Sequence, residues 1–343
     1  MTTMVAEPQD ATDALAQVLG ERFAGKVLRV GTRTSPMALA QADMVQAMIT
    51  QRVPGLQVEL VGIETSADLW PGDLHELGGK GNFTKEIDRQ LIGGGVDIAV
   101  HCLKDVPGDV PIPDGTVMAA YLPREDVRDV AVFPADSEFA RLEDLPAGSL
   151  IGTSSVRRRA QLGKVRPDLR TERCRGNVNS RLRGLDNDGK FAALILARAG
   201  LGRIGMADRP HQLLPIERQH ERDGVSIVPA VGAGVIALQA RSADAAVLRL
   251  ADEFNDEVTA QCVLAERTML HMLRGHCNSP IAGHAVHALD GVQLGLRGMV
   301  FNRDGSRFVH AHAWHTDPAV LGSMVASDLL RQGARELIMA TRQ

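Results

Sequence analysis

Short apolar runs alternate with longer helical patterns through most of this chain, and that alternation limits its fold more than any other feature. The runs are Val27–Val30, Val58–Ile63, Asp97–Val100, Val130–Phe133, Leu150–Ile151 and Ala192–Leu196. Strands recurring between helices predict α/β layering, with helices packed on sheets. After Ala251 the order changes. A long helix is predicted over Glu253–Arg274, then three strand-like runs, Ile281–Leu289, Val292–Val300 and Arg307–Trp314, and a last helix from Pro318 to Ala340. This second pattern predicts a separate, smaller α+β domain built on a β-meander. A chain of 343 residues can bury two or three such cores. Residues 1–25 are expected to form a loosely held extension, helical from Asp10 to Leu19.

Two segments share a pattern. Val30-Gly31-Thr32-Arg33-Thr34-Ser35-Pro36 and Ile151-Gly152-Thr153-Ser154-Ser155-Val156 each follow a predicted strand and open a predicted helix. Ser35 suits an N-cap and Pro36 the first helical position. Both helix starts present backbone N–H groups and hydroxyls, a ready place for anions. If the match is a duplication, two similar α/β domains face each other across a cleft.

Charge is distributed unevenly. Gly152–Arg203 holds eleven Arg and two Lys against three Asp and one Glu, a net +9 in a chain of net −4, so the remainder carries −13. The basic residues are 32 Arg against 6 Lys. Arginine's planar fork suits bidentate binding of carboxylate or phosphate. Aromatic residues are only 3% of the chain, with one Tyr and two Trp, and no zinc-finger or basic-zipper spacing occurs. Stacking platforms for nucleic acid are therefore scarce, and no nucleic-acid partner is expected. No run reaches the roughly 18 apolar residues of a membrane span, and MTTMVAEPQDATDALAQVLG has neither the basic start nor the apolar stretch of a secretory signal. A cytoplasmic location and no membrane partner are expected.

Val100-His101-Cys102-Leu103-Lys104-Asp105-Val106-Pro107 leaves a buried strand and turns at the proline, so Lys104 and Asp105 fall beyond a strand C-terminus, where open α/β sheets bind ligands. There the carboxylate can move protons or stabilise a developing cation, or the two can form a structural ion pair. Arg157, Arg158 and Arg159 lie on one predicted helix at about 100° intervals, so at most two serve one ligand. Arg175 and Arg181 flank a Gly-Asn turn, and Arg203 follows another strand. These arginines form either a binding surface or a solvated basic face. Of the four cysteines, Cys102 and Cys262 read as core, and Cys174 lies among arginines that would lower its pKa. Cys277 sits in Arg274-Gly275-His276-Cys277-Asn278-Ser279-Pro280, after a helix-ending glycine and before a strand, a loop able to expose a nucleophile. His310 and His312 alternate on one strand, but nothing completes a metal set, so no metal is expected.

The segments GTRTSPMALAQA, GGKGNFTKEID, DIAVHCLKDVP, REDVRD, GTSSVRRR, RGNVNSRL, LARAGLGRIG, PAVGAG and GHCNSPIAG, in this order, resemble the porphobilinogen deaminase (hydroxymethylbilane synthase) family from Lys26 to the C-terminus. The resemblance implies two similar periplasmic-binding-protein-like (type II) α/β domains around a cleft plus a smaller C-terminal α+β domain. Residues 26–121 and 234–252 would form the first domain, 122–233 the arginine-rich second, and 253–343 the third. It implies a monomer that joins four porphobilinogen molecules head to tail with release of ammonia. It also implies a dipyrromethane cofactor held by a thioether to Cys277. The acid/base carboxylate maps to Asp105 and its neighbour to Lys104. Cofactor contacts map to Ser35, Ser155, Arg157 and Arg158, and substrate contacts to Arg33, Arg175, Arg181, Arg203, Phe83 and Lys80. The chain departs from the family at Ala233, where PAVGQG is usual, and at Gln239-Ala240-Arg241, where Glu-Cys-Arg is usual. It also has Thr65-Ser66-Ala67-Asp68 in place of T-x-G-D, and the segment up to Gly81 is one residue short. These departures leave open a specialised paralogue acting on another pyrrole.

Overall fold

The computed structural model describes residues 8–70, 81–217, 224–275 and 279–341. From the N-terminus come α1 (Pro8–Arg22), β1 (Leu28–Arg33), α2 (Pro36–Arg52), β2 (Val58–Ile63), α3 (Ser66–Leu69), α4 (Lys85–Ile92), β3 (Ile98–Cys102) and β4 (Thr116–Tyr121). Then follow β5 (Asp129–Val132), β6 (Leu150–Gly152), α5 (Val156–Val165), β7 (Arg170–Glu172), α6 (Val178–Asn187), β8 (Ala193–Ala197), α7 (Arg198–Arg203) and β9 (His211–Leu214). The last stretch holds β10 (Ile236–Arg241), α8 (Ala245–Asp252), α9 (Glu257–Met272), β11 (Ile281–His287), β12 (Leu294–Phe301), β13 (Phe308–His315), α10 (Pro318–Arg331) and α11 (Ala334–Ala340). Contacts divide the chain into two compact units, the first 1–106, 112–123 and 236–257, the second 107–111, 124–235 and 258–343. Among the described residues no helix is long and apolar enough to cross a membrane.

Unit 1 is a five-stranded sheet in the order β2-β1-β3-β10-β4. β1 runs parallel to β2 and β3, while β10 runs antiparallel to β3 and β4. Alternating Leu28, Val30, Ile98, Val100, Ile236 and Leu238 turn one face toward α2 and α8 and close a core with Val45, Ile49, Val247 and Leu250. On the other face Ile87 and Leu91 of α4 pack against Val96 and Ala99. β10 is absent from the apolar runs read above because Gln239 interrupts it. That amide is satisfied inside the sheet, accepting from His101 Nε2 at 2.9 Å and donating to Thr116 Oγ1 at 2.9 Å. The N-terminal segment differs from the loose extension expected: Leu15, Leu19 and Phe23 belong to the same core, and Arg22 pairs with Asp244 at 2.8 Å. A repeat of four residues puts those three side chains on one stripe, which supplies the burial that fastens a helix.

Unit 2 repeats the topology as β7-β6-β8-β5-β9, with β6 parallel to β7 and β8, and β5 antiparallel to β8 and β9. The short repeat in the sequence marks equivalent corners: Ser35 caps α2 by accepting from Ala38 N, and Ser155 caps α5 by accepting from Arg158 N. The predicted meander is the antiparallel sheet β11-β12-β13, whose inner face packs Leu296, Val300 and Ala311 against Met269 of α9 and Leu321, Val325 and Leu329 of α10. It also joins α5, because Phe301 and Ala282 share a cluster with Ala160 and Val228. At Gly305 (φ +80°) a Cβ would stand 1.9 Å from the Ala160 carbonyl oxygen, so only glycine lets the β12–β13 turn come this close. The single terminal helix expected from Pro318 to Ala340 is two helices, broken at Gly333, whose φ of +94° ends α10.

Candidate active site

In unit 1 the parallel strands β1 and β3 end at one edge of the sheet, and the predicted residues of this unit collect there. Arg33 is the last residue of β1. Lys104 and Asp105 lie on the single 3-10 turn after β3, held by buried Leu103 and Val106 on either side. The Arg33 fork binds Asp68, with Nε donating to Oδ2 at 3.1 Å and a terminal nitrogen donating to Oδ1. Its other terminal nitrogen stands 3.9 Å from Asp105 Oδ2, and the guanidinium lies 4.4 Å from the centre of the Phe83 ring. Ser35 adds a hydroxyl whose oxygen accepts from Ala38 N as the helix cap and which can also donate to an anion. His101, at the end of β3, is no proton source near neutrality, since burial pushes its pKa down to about 4. Lys80 lies outside the described residues.

In unit 2 the arginines divide into two kinds. Arg157 is 5% exposed and donates to Asp129 Oδ2 at 2.7 Å and to the Val228 carbonyl. Arg203 pairs through Nε with Glu125 at 2.8 Å and reaches the Gly234 carbonyl at 3.2 Å. Both guanidinium groups are thus bound by protein oxygens in the absence of a ligand. Arg158 shares Asp129, donating to Oδ1 at 2.6 Å and to the Ile195 carbonyl at 2.9 Å, and its Nε has no hydrogen-bond partner among the described residues. Arg181 donates Nε to the Gly176 carbonyl, and no carboxylate pairs with it among the described residues. Burial and the like charges of Arg158 and Arg175 push its pKa down. Arg175 is exposed beside it. A crowded positive cluster of this kind favours an incoming carboxylate.

Asp129 is the counter-ion that organises this corner. Burial alone would raise its pKa, but Arg157 and Arg158 hold it down at about 2. The stability it contributes is therefore complete above its unfolded pKa of 3.8 and is lost as pH falls toward 2. Asp129→Asn is expected to cost about 3 to 5 kcal/mol of unfolding free energy, since it leaves buried Arg157 and half-buried Arg158 without their shared carboxylate. Urea unfolding at pH 7 and at pH 3 measures both effects; the difference between wild type and variant should shrink at the lower pH.

The cysteines separate by burial. Cys262 is core, as read from its helical stripe, whereas Cys102 is only half-buried at its strand end. Cys174 reverses the expectation of a lowered pKa: burial outweighs Arg181 and Lys190 and pushes the thiol up. Cys277 lies outside the described residues. Its two shoulders are anchored, with Ser279 buried and Gly275 donating to the Leu270 carbonyl at 3.0 Å. The helix-ending left-handed residue is Arg274 (φ +52°), not Gly275 as expected. Gly275 is needed for space instead, because a Cβ there would meet Ile281 and Leu270 side chains at 2.4 and 2.5 Å.

Reading the sequence missed the acids that pair with these arginines. Asp68, Glu125 and Asp129 all lie in quoted segments, but as partners they are remote along the chain. Glu266 was missed as well. It is fully buried on α9, takes both terminal nitrogens of Arg124, and accepts from the backbone of Gly232 and Ala285. A glutamate on the apolar side of a helix was the available signal.

Comparison with known proteins bears on these residues. A family model described as "Porphobilinogen deaminase, dipyromethane cofactor binding domain" matches residues 28–249, and one described as "Porphobilinogen deaminase, C-terminal domain" matches residues 260–331. The chain is 47% identical to "Porphobilinogen deaminase 2" of Streptomyces coelicolor over 317 residues, covering 92% of this chain and 97% of that one. It is 46% identical to "Porphobilinogen deaminase" of Acidithiobacillus ferrooxidans over 316 residues, covering 92% and 98%. Among solved structures it is similar to the Bordetella pertussis BvgS VFT2 domain, at 12% identity and a TM-score of 0.38 over 72% of this chain and 91% of that one. The second substrate binding domain of a putative amino acid ABC transporter from Streptococcus pneumoniae also matches, at 12% identity and a TM-score of 0.39 over 66% and 91%.

Proposed function

Because the chain belongs to the porphobilinogen deaminase family, we propose that the residues described above divide the work of pyrrole condensation between holding carboxylates and managing charge at the reacting ring. The chain joins four porphobilinogen molecules head to tail, with release of ammonia at each addition, and yields hydroxymethylbilane. It does so with a dipyrromethane cofactor. When bound, that cofactor supplies the carbon nucleophile from which the chain of pyrroles grows.

The donor set suits such a group, since each pyrrole brings two carboxylates. Among the described residues Arg158 Nε has no hydrogen-bond partner and no carboxylate pairs with Arg181, in a cluster crowded with positive charge, and the Ser155 and Ser35 hydroxyls, whose oxygens accept at the helix starts, can also donate. In this reading Arg158, Arg175 and Arg181 bind carboxylates, while Arg157 and Arg203 act from beside them, bound to Asp129 and the Val228 carbonyl and to Glu125 and the Gly234 carbonyl. Arg33 binds a substrate carboxylate, with Phe83 packed on its guanidinium face. Asp105 stabilises positive charge at the pyrrole N–H of the reacting ring and carries its proton away, and Lys104 beside it supplies a point charge to a substrate carboxylate. Cys277 is the anchoring thiol, and Lys80 a further substrate contact. The finer reading is of a cytoplasmic monomer without a nucleic-acid partner, the last supported by the scarcity of aromatic side chains.

The observation that carries this division is the contrast in counter-charge between Arg157, bound to buried Asp129, and Arg181, which is surrounded by like charge. Arg181→Gln is expected to raise KM for porphobilinogen by about 10- to 100-fold, the loss of one charge-assisted contact. Steady-state kinetics of ammonia release measure this, and an unchanged KM would remove Arg181 from the substrate-holding set.

A further inference from the structure

Arg33 leaves β1 with its fork already taken. Nε and one terminal nitrogen are bound side-on by Asp68, the arrangement that a free carboxylate would adopt on the same guanidinium. Two carboxylates cannot share that edge. The remaining terminal nitrogen points toward Asp105, 3.9 Å away.

The environment of Asp68 differs from that of the scaffold acids. Asp129 and Arg157 are 2% and 5% exposed on paired core elements, whereas the Asp68 and Arg33 side chains are 18% and 20% exposed. Asp68 rides on α3, a four-residue helix that buries no side chain of its own. Ala67 stands where the family pattern has glycine, and alanine favours the helical turn that carries Asp68 toward Arg33. Thr65 Oγ1 donates to Asp68 Oδ2 at 2.7 Å, so a second donor remains for the carboxylate if Arg33 is taken from it. Burial would raise the Asp68 carboxyl, but Arg33 and Thr65 bring it below the ordinary range, so it is ionised at neutral pH.

We propose that Asp68 is the resting counter-ion of Arg33, occupying its bidentate edge until a pyrrole carboxylate displaces it, and that this exchange sets part of the apparent affinity for substrate. The exchange swaps one carboxylate for another, so Arg33 is neutralised throughout, and it is not drawn onto Asp105 while substrate is absent. The proposal rests on the reading of Arg33 as a carboxylate binder.

Asp68→Asn keeps the size of the side chain and removes the competing charge. It is expected to lower KM for porphobilinogen by about 3- to 10-fold with kcat little changed. Arg33→Gln is expected to raise KM, and in that background Asp68→Asn should have no further effect, because interacting neighbours are not additive. Thermal melts check that the variants are folded; Asp68→Asn gives up a partly exposed ion pair, so a cooperative melt at a modestly lower temperature than wild type is expected. If Arg33→Gln leaves KM unchanged, Arg33 is not a carboxylate binder and the proposal falls with that reading. If Arg33→Gln raises KM but Asp68→Asn raises it too, or leaves it unchanged, Arg33 keeps its role and the counter-ion proposal is overturned.

Discussion

Asp105→Ala is expected to lower kcat for porphobilinogen consumption by about 10²- to 10⁴-fold, the usual contribution of a positioned acid or base, without loss of fold. Its backbone lies on the 3-10 turn after β3, pinned by Leu103 and Val106, and neither anchor depends on the carboxylate. Its ion pair to Arg33, at 3.9 Å, is too long and too open to carry much stability. Arg33 would keep Asp68 in the variant. A loss of turnover with an unchanged melting temperature therefore identifies chemistry and not structure. Asp105→Asn separates charge from hydrogen bonding: the amide still accepts a bond from a pyrrole N–H, but it neither balances a positive ring nor takes up its proton. It should fall nearly as far as the alanine variant. Near-normal turnover in either variant would exclude Asp105 from the reaction, and assembly of the cofactor adduct should remain at least partly possible in both.

What could be read from the sequence was what is local. The corners at Ser35 and Ser155 were legible because capping is decided within a few residues, and both serines cap the helices they were expected to open. The three strands of the meander were legible from their period. Partner choice was not. Arg157 and Arg158 look alike as a tandem pair and both reach Asp129 of β5, yet Arg157 goes on to the Val228 carbonyl, 71 residues away, and Arg158 to the Ile195 carbonyl, 37 residues away, with its Nε left without a partner among the described residues. Arg203 finds Glu125 across 78 residues. For Cys174 the nearby arginines were visible and the burial was not, and burial decided its acidity.

The departures from the family pattern also become physical statements. Residue 233 contributes its carbonyl to Arg124 Nε at 2.9 Å, which any amino acid can supply. The neighbouring glycines are more demanding: Gly234 has φ +77° and would place a Cβ 2.4 Å from the Glu125 carbonyl oxygen. Gln239 in place of glutamate donates through its amide nitrogen to Thr116, a bond that a carboxylate could not make.

Cys277→Ser is expected to yield a protein whose intact mass lacks the dipyrromethane increment carried by the wild type, with turnover reduced at least about 10³-fold through loss of the tether that makes each addition intramolecular. The sulfur matters because a thiol near its pKa gives a far better nucleophile than a serine hydroxyl, which stays protonated at neutral pH. The other cysteines provide the internal control. Cys174 and Cys262 are buried, and burial raises the Cys174 thiol, so neither is placed to carry a bulky polyanion. Cys102 is half-buried on β3, and Cys102→Ser should keep the increment. Cys277→Ser should fold, because Gly275 before the segment donates to the Leu270 carbonyl at 3.0 Å, a bond that does not involve the thiol. Retention of the mass increment in Cys277→Ser would place the attachment on another residue, and an unmodified wild-type protein with full turnover would remove the covalent anchor altogether.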